Sequence, residues 1–378
     1  DVRGWEAAVE LIKVSPSVAG MMPFNYFIKW TDCGVSLCQE SPTLAISFFS
    51  ASPETMSLLR SRHIETWANL GRSLYKGTWK SSTLSTKFFE VSHQLLTNMS
   101  VPELERFVGF LIALSHRSYD VSAECLALSL EIFPMLEDDK RGFIRLGTSL
   151  TESSWRQVKG LFESVFRVFP NIQPDQRSRI LRLSQDLHDA GMTNLPEAVS
   201  VIGKGLGKVN LEHHEPIITM AETLVGKMPA SAPNFIEKSP EALQRISISQ
   251  LPQWFEEGIS ILDLNKDGGA AYFRMESSRS HEILELLSSS IEFSRIKEVM
   301  EMYCLALAGT EIKLSTSDEL AEKNIGWVSD ETPTTEGSTV YVPNQEGRFP
   351  TKEQNFALYK VIATHQIAHI EFGELNII

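Results

Sequence analysis

Between about residue 40 and residue 310 the chain repeats itself, and this limits the fold more than any other feature. The stretch Trp67, Gly71, Leu74 recurs as Phe143, Gly147, Leu150, as Ile180, Ser184, Leu187, and as Trp254, Gly258, Ile261. A bulky residue, a small one four later and an aliphatic at seven fall on one stripe of an α-helix, and the small residue lets a neighbouring helix come close. Each copy is accompanied by a second apolar segment ending in an aromatic and often a proline: Phe48-Phe49, Phe88-Phe89, Phe133-Pro134, Phe169-Pro170, Phe235, and Tyr272-Phe273. The spacing of these endings averages about 37 residues, in the range of two-helix repeats that must stack to bury their apolar faces. The pattern predicts a mainly α fold: an α-solenoid of roughly six or seven helix pairs over residues 41–310. Residues 1–40, with Trp5, Trp30 and a Pro23-Phe24 turn, read as an N-terminal cap, and residues 311–378 as a C-terminal strand-helix module. At these spacings the Trp and Phe positions are repeat core, not a cofactor box.

Composition narrows the function classes. A hydrophobic fraction of 42% is ample for a core, and a net charge of −13 with no clustered Lys and Arg argues against nucleic acid or an anionic membrane as partner. No apolar run approaches the length of a membrane span, so a soluble, cytoplasmic chain is expected. The start at Asp1, without Met or signal peptide, suggests a piece of a longer protein. Cys33, Cys38, Cys125 and Cys304 make neither a disulfide framework nor a metal knuckle and are expected as buried thiols. Asp263 to Asp267 begins like a calcium loop, but its twelfth position is Arg274 where a bidentate Glu is required. The stretch Gly203 to Lys208 lacks phosphate-loop spacing and reads as a mobile turn between helices.

The polar residues that folding alone does not account for lie between Thr351 and Gly373. Thr351 with Gln354 is a capping box, Gly373 a stop, and Phe356, Tyr359, Ile362, Ala363 and Ala368 mark a buried face. His365 and His369, four apart near that face, can reach one ion. In the zinc-peptidase motif HExxH the two His bind zinc and the Glu activates the bound water; Gln366 stands in the Glu position, and an amide cannot take that proton. A zincin-like relic, a peptidase whose Glu has been replaced, and two ordinary helix histidines are the three alternatives. Glu374 is a candidate third ligand, as is Glu371, although a helical neighbour closes a tetrahedral site poorly. A strand is predicted over 338–343, which in the zincin arrangement is an edge strand able to pair with an extended substrate.

The segments FFSASPETMSLL, TWANLGRSL, MEMYCLALAG, STVYVP and RFPTKEQNFALYKVIATHQIAHIEFG together resemble the region preceding the von Willebrand A domain in bacterial nitric-oxide-reductase-activation (NorD-like) proteins. The resemblance spans most of the chain and is specific over the last 40 or so residues. It implies work with a MoxR-type AAA+ ATPase in maturing or activating a metalloenzyme. No DxSxS motif of the A domain occurs in the sequence. Two functions are therefore expected to compete: a helical-repeat scaffold, and a zinc metallopeptidase with His365 and His369 as ligands and Gln366 in the general-base position.

Overall fold

The computed structural model describes residues 2–310, 312–317, 334–336, 339–349 and 351–372, and they are mainly helical with few strands. The chain divides into two compact units, Asp1–Pro240 and Glu241–Ile378.

The first unit contains α1 (Val2–Ala19), α2 (Phe24–Glu40), α3 (Pro42–Leu58), α4 (Ile64–Leu74), α5 (Trp79–Asn98), α6 (Val101–Ser115) and α7 (Tyr119–Leu136). It continues through α8 (Lys140–Ser154), α9 (Val158–Val168), α10 (Pro174–Asp189), α11 (Leu195–Leu206) and α12 (His214–Lys227) into α13 (Ser231–Leu243). Odd-numbered helices α1 to α11 contact one another in series, and even-numbered helices α2 to α12 do the same. Two rows of helices result, joined by contacts between sequence neighbours such as α2 and α3, α4 and α5, α6 and α7, α8 and α9, and α10 and α11.

The even row carries the repeat. Trp67, Gly71 and Leu74 of α4 are buried, as are Phe143, Gly147 and Leu150 of α8. Trp30, Gly34 and Leu37 of α2 are buried in the same register, so the repeat extends into the segment read from the sequence as a cap. Phe107, Leu111 and Leu114 of α6 and Ile217, Ala221 and Leu224 of α12 complete the row. The small position has a direct cause: a Cβ on Gly34 would lie 2.0 Å from Cζ of Phe49, and one on Gly71 2.0 Å from Cζ of Phe89. The indole N–H of Trp30 donates to Ser52 Oγ at 2.8 Å and that of Trp67 to Ser92 Oγ at 2.8 Å, so each buried donor is satisfied by the adjacent helix.

Two expectations change. Two of the prolines lie inside the second helices and do not end them, Pro53 within α3 and Pro134 within α7, whereas Phe169-Pro170 follows the end of α9 and Tyr272-Phe273 closes α15 as expected. The glycines at 203 and 205 are not in a mobile turn but in helix α11, where a Cβ on Gly203 would meet Val168 at 2.1 Å and one on Gly205 the Ile236 carbonyl oxygen at 2.4 Å. Absence of a side chain there permits close helix packing, which in sequence looks the same as flexibility.

The second unit opens with α14 (Leu251–Leu264), α15 (Lys266–Phe273) and α16 (Ser278–Leu287). Trp254 and Gly258 repeat the even-helix pattern, with a Gly258 Cβ 2.6 Å from Phe273 Cζ. Asn265, in the calcium-like stretch, caps α15 by accepting from the Asp267 amide at 3.1 Å. An α/β module follows: β1 (Ile291–Glu292), α17 (Phe293–Ala308), β2 (Lys313–Thr316), β3 (Thr334–Glu336), β4 (Thr339–Val342), β5 (Gln345–Glu346) and α18 (Lys352–Phe372). In the sheet, ordered β2-β4-β3, β4 runs parallel to β2 and antiparallel to β3. The expected strand is thus present over 339–342, with 338 outside the described residues. It is central, so both its edges are already paired and it cannot accept an extended substrate. Val340 and Val342 meet Phe293, Met300 and Cys304 of α17 and Tyr359, Ile362, Ala363 and Ile367 of α18 in one core. α17, expected within the repeat array, therefore packs as part of this module.

Candidate functional site

Helix α18 carries every candidate site residue that lies within the described residues. Of the expected capping box one bond is shown: the Thr351 hydroxyl accepts from the Gln354 amide at 3.3 Å, satisfying a first-turn donor. Its buried positions are Asn355, Tyr359, Ile362, Ala363, Gln366 and Ile367, a stripe at four, three and one that faces the sheet. Phe356 and Ala368, expected on that stripe, are only half-buried.

Two polar residues on the stripe hold the module together. The Asn355 side-chain oxygen accepts from the Phe349 amide at 2.8 Å, and its nitrogen donates to the carbonyls of Phe349 and Ser289, both at 2.8 Å. The Tyr359 hydroxyl donates to the Pro343 carbonyl at 2.9 Å. Burial, and secondarily the Glu346 carboxylate, push the Tyr359 phenol above its ordinary range, so it stays a neutral donor. Neither residue was singled out from the sequence as polar tethering. The available signal was a polar Asn four residues before Tyr359, in the register of the apolar face.

His365 and His369 lie side by side on the exposed side of α18, ring centroids 4.5 Å apart and nearly perpendicular. Next to His365 in sequence, Thr364 bonds the Tyr303 hydroxyl of α17 at 2.9 Å. Gln366 is buried, 9% exposed, whereas the two imidazoles are exposed. In HExxH chemistry the base must stand beside the metal-bound water, on the same open side as the ligands. Among the described residues no group of three His, Cys, Asp or Glu side chains could hold an ion. Glu374 and Gly373 lie outside the described residues, and the side chain of Glu371 is not described. The described donors therefore supply two corners of a tetrahedron and do not fit a complete zincin centre.

Of the thiols, Cys125 and Cys304 are buried and Cys33 and Cys38 half-buried, all four unbridged. Burial, reinforced by Glu301, pushes Cys304 up to about 11, which makes it core and not a nucleophile. No helix among the described residues is long and apolar enough to cross a membrane.

Comparison of the chain with protein-family models, curated proteins and solved structures returns no match. The NorD-like resemblance thus rests on the quoted motifs alone.

Proposed function

We propose that this chain is a helical-repeat scaffold, an α-solenoid whose stacked pairs offer an extended surface to a protein partner. The observation that supports this most is the pair of helix series, α1 to α11 and α2 to α12, joined by the recurring bulky-small-Leu register. Stacked repeats bury a continuous core while leaving the outer faces free for recognition. Gln366 in place of a general base favours binding over hydrolysis. By the resemblance, the partner is a MoxR-type AAA+ ATPase, the process is activation or maturation of a metalloenzyme, and the compartment is the cytoplasm. The test is sedimentation of the purified chain with a MoxR-type ATPase from the same genome, with and without ATP. Co-sedimentation and a changed ATPase rate are expected. Two independent species with an unchanged rate would reject the pairing.

The second reading, a zinc metallopeptidase with Gln366 replacing Glu, draws on the 4.5 Å approach of His365 and His369. Under it Gln366→Glu yields peptide cleavage that depends on added zinc. A Gln366→Glu protein that cleaves nothing in a broad peptide library removes this reading and leaves the scaffold untouched.

A further inference from the structure

The second unit contains a cleft of about 660 Å³ where the helical segment ending at α16 meets the α/β module. Clefts of this volume at junctions between packed elements are where small molecules usually bind. Its walls are fixed from behind. Asn355 ties α18 to the Ser289 carbonyl, 66 residues away in sequence. Gln345 donates to Ser290 Oγ at 2.7 Å, and β1 pairs with β5. A ligand entering here would meet a pre-formed surface, with little loop ordering to oppose binding.

The charges in the cleft are unequal. Arg245, Arg295 and Lys352 line it, with only Glu285 and Glu292 against them. Both carboxylates are engaged by a single residue, Arg295, which pairs with Glu285 and lies 3.2 Å from Glu292. The hydrogen bond from Arg295, with Lys352 and Arg245 close by, holds Glu285 below the usual carboxylate range, so all three cations converge on one place. Arg245 lies 3.4 Å from Nδ1 of His281, whose Nε2 faces the Met275 carbonyl at 3.0 Å. Among the described residues no carboxylate lies within ion-pair distance of Arg245 or Lys352. Arg245 and Lys352 thus face the cleft beside serine hydroxyls and glutamine amides, with Glu285 as their nearest carboxylate influence.

We propose that this cleft binds a small organic anion, whose carboxylate or phosphate oxygens are held by Arg245 and Lys352 and whose polar body is met by Ser288 and Gln345. Charge-assisted hydrogen bonds to an oxyanion are the strong ones, and Arg gives them a directed geometry. The site is independent of the scaffold reading, since it requires neither a protein partner nor His365 and His369.

The test is isothermal titration of the whole chain at low salt with three probes: citrate, inorganic phosphate and glucose 6-phosphate. Saturable binding of at least one is expected, weakened about ten-fold or more in Arg245→Gln and in Lys352→Gln, each an exposed position whose loss leaves the fold intact by circular dichroism. Arg279→Gln, which removes a cation paired with Glu257 outside the cleft, leaves binding unchanged. Preference for citrate assigns a carboxylate ligand, and preference for either phosphate probe a phosphorylated one. No saturable binding of any probe, or equal binding in the Arg245→Gln and Lys352→Gln proteins, overturns the proposal. So does binding of a polyglutamate peptide with no binding of the small anions, which would make the cleft a protein contact.

Discussion

The repeat helices and the terminal α/β module both bury polar side chains, but they do so over different distances in sequence. Trp30 and Ser52 are 22 residues apart and Trp67 and Ser92 are 25 apart, so each bond closes within one helix pair. Asn355 reaches Ser289 across 66 residues, and Tyr303 reaches Thr364 across 61. The first arrangement can be lost one pair at a time, whereas the second joins the ends of the module and fails as a whole. In the repeats, stability should therefore depend on local fit, and in the module on a few long-range tethers.

The largest effect is expected where local fit is tightest. Gly71→Ala places a methyl 2.0 Å from Phe89 Cζ, and that ring is confined by Phe48 and Trp67 at centroid distances of 5.6 and 5.4 Å. Overpacking of this kind should cost about 3 kcal/mol, read as a lower urea midpoint. Gly109→Ala, in α6 with nothing within 4 Å of the added carbon, should instead stabilise by about 0.5 to 1 kcal/mol because Ala is the better helix former. If both substitutions shift the midpoint the same way, close approach does not govern these positions.

Next is Asn355→Ala, which removes three hydrogen bonds and leaves the Ser289 carbonyl and both Phe349 groups without that partner. A loss of about 2 kcal/mol is expected, since part of the surroundings can be rehydrated. Hydrogen exchange should show faster opening of 289–293 and 343–359, with α4 and α5 unchanged. Equal acceleration in α4 and α5 would contradict the distinction between local and long-range tethering.

The same difference decides what could be read from the chain. Trp67, Gly71 and Leu74 announce a helix stripe because all the needed residues lie within two turns. The register persists where the residue types drift, as at Phe107, Leu111 and Leu114, and there the missing small residue hid the copy. Gly203 and Gly205 were misread because the partners that require them, Val168 and Ile236, are not sequence neighbours. In the module, one strand and one helix were legible. The two strands flanking β4 are short and not self-announcing, so its central position was not. For the candidate site, the spacing of His365 and His369 gave their proximity, but whether that side of α18 faces a core or solvent depends on α17 and the sheet. The Arg245 and Lys352 cleft was invisible for the same reason: its cations come from segments more than 100 residues apart.

A smaller and pH-dependent effect should arise at His214, a fully buried residue at the start of α12. One ring nitrogen, Nε2, faces the Leu206 carbonyl at 3.0 Å, and Nδ1 accepts from the Gln173 amide at 3.4 Å. That geometry has no place for a second proton, which would set two N–H groups against each other. Burial first, then the neighbouring His213, lowers the His214 pKa below its ordinary value of 6.5. Above that value both folded and unfolded chains carry a neutral ring and stability is full. As pH falls below it the unfolded chain takes up a proton that the folded chain refuses, so stability declines until the folded pKa is passed. Urea midpoints at pH 7.5 and 5.5 should therefore differ more in the parent than in His214→Gln. An identical pH dependence in the two would exclude His214 as the cause.

The smallest effect on the fold is expected at the pair that looks most like chemistry. His365 and His369 are exposed, so His369→Ala should change stability by less than about 0.5 kcal/mol. Unlike Asn355, it makes no bond that joins distant segments among the described residues. Its informative readout is metal content: two imidazoles one helical turn apart can share an ion, but two protein ligands from one helix hold zinc weakly. Protein purified without chelator should then carry more zinc than the His369→Ala variant, and dialysis should remove it. Equal zinc in the two proteins would leave His365 and His369 as ordinary surface residues of α18. A content near one ion per chain that survives dialysis, and is lost in His369→Ala, would mean that a further ligand closes the site.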